Sequence, residues 1–188
     1  MRVVVVEPPA PVVAWADIDA HLKLDGDGDQ QAEVEAMIAA ATANIDGPEG
    51  WLGRAIGPQT LEVRLEPFTE QSLILPYPPV IEIVAIEYLD TDNQVQTLAE
   101  DAYELMGRCV VPAFGVNWPT MLPRREALRV RYRAGYPELP APIRAAILLM
   151  VGDLYRNRET VATGVSSPSV IPMSTTVTRL LGPFRVWA

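Results

Sequence analysis

The sequence predicts an α+β protein: a small helical bundle with an antiparallel β-sheet or small sandwich inserted in it, and an extended C-terminal arm. Three observations carry that prediction. Residues 142–158 are apolar on almost every face and open with a proline, as a buried helix does. Residues 14–22 and 30–45 show helical periodicity. Between the second and third helical stretches, residues 58–133 change to period two, with turn residues separating short apolar runs. Helices that flank a β region on both sides are expected to pack together, leaving the β region as an insertion.

Along the chain, residues 1–13 are rich in Val and Pro and read as an extended arm. A short helix is expected over 14–22, followed by the acidic loop Asp25-Gly26-Asp27-Gly28-Asp29. The helix over 30–45 aligns Val34, Met37, Ile38, Ala41 and Ile45 on one face. Asp29 suits its N-cap, and Gly47-Pro48 stops it. In the β region Leu61, Val63 and Leu65 alternate with Glu62, Arg64 and Glu66. Leu73-Ile74-Leu75 is a short strand closed by Pro76-Tyr77-Pro78-Pro79. Ile81, Ile83 and Tyr88 belong to a third strand, and Asp90-Thr91-Asp92-Asn93 turns into the run 95–98. Residues 103–105 and 109–111 pair across Gly107. Leu128, Val130 and Tyr132 then alternate with Arg129, Arg131 and Arg133, for five to seven strands in all.

The helix over 142–158 sets Ile143, Ile147, Met150, Val151 and Leu154 in one stripe, widened by Ala145, Ala146, Leu148 and Leu149. Arg156 and Arg158 sit at its negative end. These pieces make one domain over residues 14–159. Residues 160–173 are small, polar and proline-bearing and read as a loop; 176–181 make one or two helical turns before Gly182-Pro183. An apolar, aromatic ending behind a loop suits docking on a partner or a neighbouring copy. Leu180, Leu181, Phe184, Arg185, Val186 and Trp187 are the residues expected to dock.

The formal charge of −9 is unevenly spread: residues 1–50 carry −8, residues 51–123 carry −7 and residues 124–188 carry +6. Acid over the first two-thirds argues against general nucleic-acid binding. An acidic part and a basic part on one chain suit head-to-tail contact between copies. The one dense basic patch comprises Arg124, Arg125, Arg129, Arg131 and Arg133, and another subunit is its expected partner. No apolar run approaches a membrane span, and the start of the chain lacks a signal-peptide pattern. The chain is expected to be made and kept in the cytoplasm until it is assembled.

No catalytic constellation stands out, and neither an enzyme activity, a cofactor nor a metal is expected. Cys109 is the one cysteine, which excludes internal disulfides and cysteine-based zinc sites. His21 is the one histidine; among Ile18, Leu22 and Leu24 it reads as a packing residue. Asp25, Asp27 and Asp29 match the first three ligands of a calcium loop, but Gln30 stands where Gly is needed and Ala36 where a bidentate Glu is needed. Gly47-Pro48-Glu49-Gly50 lacks the ending of a phosphate loop.

The order of motifs carries a resemblance. His21-Leu22-Lys23-Leu24-Asp25 leads into the helix around Val34 and Ile38, and Trp51-Leu52-Gly53-Arg54-Ala55-Ile56 passes to Gln59-Thr60-Leu61. Leu75-Pro76-Tyr77-Pro78-Pro79-Val80 precedes Ile86-Glu87-Tyr88-Leu89-Asp90. Val130-Arg131-Tyr132-Arg133-Ala134-Gly135-Tyr136 precedes Pro140-Ala141-Pro142-Ile143. Leu154-Tyr155-Arg156-Asn157-Arg158-Glu159 and Leu180-Leu181-Gly182-Pro183-Phe184-Arg185 complete the set. Over residues 14–186 the chain resembles the head–tail connector (adaptor or head-completion) proteins of long-tailed double-stranded DNA phages, prophages and gene transfer agents. The resemblance implies a structural adaptor without catalytic residues. It implies a ring, commonly of twelve copies, between the portal protein and a stopper or tail-completion protein, with double-stranded DNA passing through the lumen. It places the chain in the host cytoplasm during assembly and then in the particle neck, with the C-terminal segment reaching a neighbour or the portal. The alternatives are another neck protein, a stopper or tail-completion protein, or a metal-binding accessory domain built on the acidic residues.

Overall fold

The computed structural model describes residues 1–26, 28–67, 72–157 and 173–187. The chain runs β1 (Arg2–Glu7), α1 (Trp15–Leu22), α2 (Gln31–Ala43), β2 (Gln59–Leu65), β3 (Leu73–Ile74) and β4 (Val80–Leu89). It continues with β5 (Val95–Thr97), β6 (Tyr103–Met106), β7 (Cys109–Pro112), β8 (Leu128–Ala134), α3 (Ala141–Arg156) and α4 (Thr175–Leu181). The α+β class and the insertion of the sheet between helices are as expected. The predicted loop over 160–173 lies outside the described residues apart from Met173, as do Asp27, Arg158 and Glu159.

The helix with the proline start is the central one. Pro142 occupies its first turn, and α1, α2 and α4 all pack on α3. Ile18, Val34, Ile38, Ala41, Val177 and Leu181 close around Ile143, Ala146, Ile147 and Val151 in one buried cluster. Each such Leu or Ile contributes about 1.5–3 kcal/mol on burial, which explains why α3 is apolar on several faces. Leu154, expected in the stripe, is 38% exposed. It lines an open hollow between α2 and the start of α4, beside Met150 and Met173. An ion pair from Arg144 to Asp17 and a 2.6 Å hydrogen bond from the Tyr155 hydroxyl to Gln30 Oε1 tie the bundle at its surface. Asp29 is not the N-cap of α2. It sits in a 3-10 turn over Gly28–Gln30, which carries the chain into the helix, and Gln30 takes the cap position with its side chain bonded to Tyr155 rather than to the first turn.

The β region forms two antiparallel sheets, one ordered β1-β2-β8-β4-β5 and one ordered β3-β7-β6. Alternation along β2 and β8 sends Leu61, Val63, Leu128, Val130 and Tyr132 into a second core with Leu75, Ile86 and Val110. The Tyr132 hydroxyl donates to the Pro76 carbonyl at 2.7 Å, and burial pushes its phenol pKa up. Within the Val-rich stretch at the start of the chain, Arg2–Glu7 joins the large sheet as an edge strand, with Val3 opposite Val63 and Val5 opposite Leu61. β-branched residues suit that position.

Bundle and sheet meet where the chain passes between them. Gly135 has φ +121°, and a Cβ there would lie 2.1 Å from the Gly57 carbonyl oxygen. Only glycine fits. Its N–H donates to the Pro79 carbonyl at 2.9 Å, and the Tyr136 N–H donates to the Ile56 carbonyl at 2.9 Å. Beside this crossing, Asp46 accepts from the Ile56 N–H at 2.6 Å and from Gln59 Nε2 at 2.9 Å. Burial raises its carboxyl pKa in spite of those hydrogen bonds.

Candidate functional site

The expected docking segment starts at α4. Ser174 caps the helix, its hydroxyl accepting from the Val177 N–H at 3.3 Å. Val177 and Leu181 are fully buried against α3, and Leu180 is half-buried on the same core. Past a 3-10 turn over Gly182–Phe184, the chain folds back along the link between α2 and β2. Phe184 meets Tyr136 edge-on, with ring centroids 6.5 Å apart, and its carbonyl accepts from Arg54 Nε. The Val186 N–H donates to the Leu52 carbonyl at 2.9 Å. The Arg185 guanidinium lies 4.2 Å from the Trp51 ring centre and 3.9 Å from that of Trp187. Of the six residues expected to dock, Leu181 is wholly inside this chain's own core, Leu180 and Phe184 are half-buried against it, and Arg185 and Val186 are half-buried beside Trp51 and Leu52. Trp187, 76% exposed, presents the large free surface.

The five arginines of the basic patch divide. On the outer face of β8, Arg131 pairs with Glu62 of β2 at 2.9 Å and Arg133 pairs with Glu82 of β4 at 2.8 Å. Glu62 also takes Arg64 at 2.9 Å. Burial alone would raise the Glu62 carboxyl, but the hydrogen bonds from Arg131 and Arg64, and their charges, hold it below the usual carboxylate range. The middle of the sheet is therefore a neutralised ladder of cross-strand charge pairs. At one end of the sheet, Arg124, Arg125 and Arg129 surround a hollow of about 470 Å³ with Glu126. Arg125 is almost fully exposed and only 3.9 Å from Glu66. The net positive surface of the patch is confined to this end.

A second group of cations was not visible in the sequence. Arg54 follows α2, Arg108 sits in the turn between β6 and β7, and Arg185 lies near the C-terminus, yet all three line one open hollow. Their separation along the chain leaves no local signal. His21 is exposed at the end of α1, and a Cβ on Gly152 of α3 would sit 3.7 Å from its Nε2. Asp25 takes a left-handed backbone, and Asp19 accepts from the Gly26 N–H at 3.0 Å, so that loop is organised by its own capping bonds. Among the described residues no group of His, Cys, Asp or Glu has the arrangement to hold a metal ion, and no helix is long and apolar enough to cross a membrane.

Comparison with known proteins gives one family and one fold. The model of the head completion protein family matches residues 13–182. Among solved structures, the chain is similar to one in the neck of an empty GTA particle computed with C6 symmetry, with TM-score 0.76 and 21% identity over 100% of this chain and 97% of that one. It is similar to one in the virion of a native gene transfer agent particle, with TM-score 0.75 and 22% identity over 100% and 97%. A third, in the neck of a native GTA particle computed with C12 symmetry, gives TM-score 0.61 and 20% identity over 97% and 96%. No curated protein matches the chain.

Proposed function

The chain belongs to the head completion protein family, and on that premise we propose that it is a structural adaptor whose copies close into a ring in the neck of a phage-like particle. The ring sits between the portal and a stopper or tail-completion protein, and DNA passes through its lumen without sequence recognition. The observation that carries this reading is the end-to-end correspondence of the fold with chains of gene transfer agent necks and virions. The C12 symmetry of one such neck supports twelve copies as the ring number. Two surfaces are proposed to make the contacts. Trp187 and the edge of Arg185 meet the portal or a neighbour, with Leu180, Leu181, Phe184 and Val186 supporting them from below. The Arg124, Arg125 and Arg129 end of β8 faces an acidic surface of the next copy, with Arg131 and Arg133 fixing the sheet behind it. An acidic lumen wall repels phosphate and so does not trap the passing duplex.

The test is cryo-microscopy of particles carrying this chain, with symmetry left free at the neck. The expected result is a closed ring of this fold directly below the portal. Particles whose neck lacks the chain, or that hold it as single copies, sink the proposal.

A further inference from the structure

Among the described residues, the arginines Arg64, Arg125, Arg131, Arg133 and Arg144 each have a carboxylate within 4.0 Å. Arg54, Arg108 and Arg185 make no ion pair with a described residue, and these three converge on one open hollow of about 520 Å³. No carboxylate among the described residues lines it; its other walls include Pro78, Pro79 and Val80. Three like charges around one opening repel one another, and an oxyanion placed between them turns that repulsion into attraction.

Two of the three cations are fixed in advance. Arg185 is held between the rings of Trp51 and Trp187. Stacking occupies the faces of a guanidinium and leaves its edge donors in the plane for a planar oxyanion. Arg54 is held through its Nε by the Phe184 carbonyl, which leaves its terminal nitrogens free of that bond. Ordering these side chains on binding costs little because the fold has already ordered them. Arg108 is exposed at a turn and completes the rim.

We propose that the hollow of Arg54, Arg108 and Arg185 is a carboxylate-binding site, and that its ligand is an Asp or Glu on a second copy of this chain. This rests on the ring reading. The chain can supply it: of its 24 acidic residues, Asp92, Glu100, Asp101, Glu104 and Glu138 are exposed and make no ion pair with a described residue. The apolar walls, with Trp187 standing beside them, suit a carboxylate carried on a protein surface. A DNA duplex suits the site less well. It presents a phosphate about every 1.7 Å of axis and would approach a chain whose overall net charge is −9.

The experiment uses the full chain. Arg108→Lys keeps the charge and supplies an amine; a mixture of ¹⁵N-labelled and unlabelled protein is treated with a zero-length carbodiimide cross-linker and read by mass spectrometry. In parallel, sedimentation compares self-association of the unaltered chain with that of Arg108→Glu, alone and with portal protein present. The expected results are mixed-isotope links from position 108 to an Asp or Glu, and self-association weakened about tenfold by Arg108→Glu, the size of one charge-assisted pair. Oligomers that form equally well in Arg108→Glu, or links confined to one copy, overturn the site and leave the ring standing. A chain that stays monomeric throughout, with portal protein present, overturns the site; the ring is overturned only by a particle neck that lacks the chain or holds it as single copies. Fluorescence anisotropy with a DNA duplex is the remaining arm: duplex binding that Arg108→Glu abolishes reassigns the hollow to phosphate and overturns the carboxylate.

Discussion

Two single residues hold parts of the molecule that no neighbour replaces. Glu62 sits almost buried in the face of the large sheet between Arg64 and Arg131. Glu62→Gln leaves two cations facing a neutral amide, and the expected loss is about 2 kcal/mol at neutral pH, read by urea denaturation. Because the folded-state carboxyl is held below its ordinary value of 4.5, the unfolded chain takes up its proton first as the pH falls. The stabilisation from Glu62 is thus complete above that value and disappears as the pH drops through the folded-state pKa. The stability difference between the unaltered chain and Glu62→Gln should shrink over the same acid range. A difference that holds steady down to strong acid contradicts this account of the ladder. Gly135 acts through shape alone. At φ +121°, with the Gly57 carbonyl where a Cβ would go, Gly135→Ala is expected to cost about 3 kcal/mol and to lower the thermal midpoint by several degrees. An unchanged midpoint would mean that the crossing between bundle and sheet relaxes freely.

At the scale of elements, α4 and the segment after it divide into a part that holds the fold and a part left free. Leu181→Ala opens a cavity against α3 and is expected to cost about 3 kcal/mol. Trp187→Ala removes an exposed ring and should change stability by about 0.5 kcal/mol or less. If Trp187 is the docking residue, Trp187→Ala still reduces incorporation into the neck, measured as copies per purified particle. Normal incorporation would move the contact elsewhere. The elements that the sequence made legible are those with a local signature. Pro142 announces the start of α3, and the alternation of Leu61, Val63, Leu65 with Glu62, Arg64, and of Val130, Tyr132 with Arg129, Arg131, specifies both faces of β2 and β8. What depended on tertiary placement was hidden. A run of four valines announces extended backbone but not which strand it joins, so the pairing of β1 with β2 was out of reach. The arginines of the basic patch were found as a group, yet their partners Glu62 and Glu82 come from distant strands, so its partial neutralisation was not. The terminal aromatic and apolar residues looked free because Leu52 and Trp51, which receive them, lie far away along the chain.

For the whole molecule, the charge distribution sets two forces against each other. Copies of a chain with net charge −9 repel at long range. In the proposed ring, a surface ending in Arg124, Arg125 and Arg129 would attract the acidic surplus of residues 1–123 on the next copy. Salt tells the two apart. The screening length falls from about 10 Å at 0.1 M to about 3 Å at 1 M. If local pairing governs the proposed ring, raising salt across this range weakens self-association of the full chain in sedimentation velocity. If general repulsion governs it, added salt strengthens association. Arg124→Glu with Arg125→Glu supplies the internal control. Both positions are exposed at the end of the sheet, so their reversal should leave thermal stability near that of the unaltered chain. It removes the attraction while leaving the net repulsion in place and larger. The expected outcome is a reversal of sign: salt weakens association of the unaltered chain and strengthens whatever association the double variant retains. Two chains with the same salt response would remove the arginine end of β8 from the interface, whatever the number of copies in the ring.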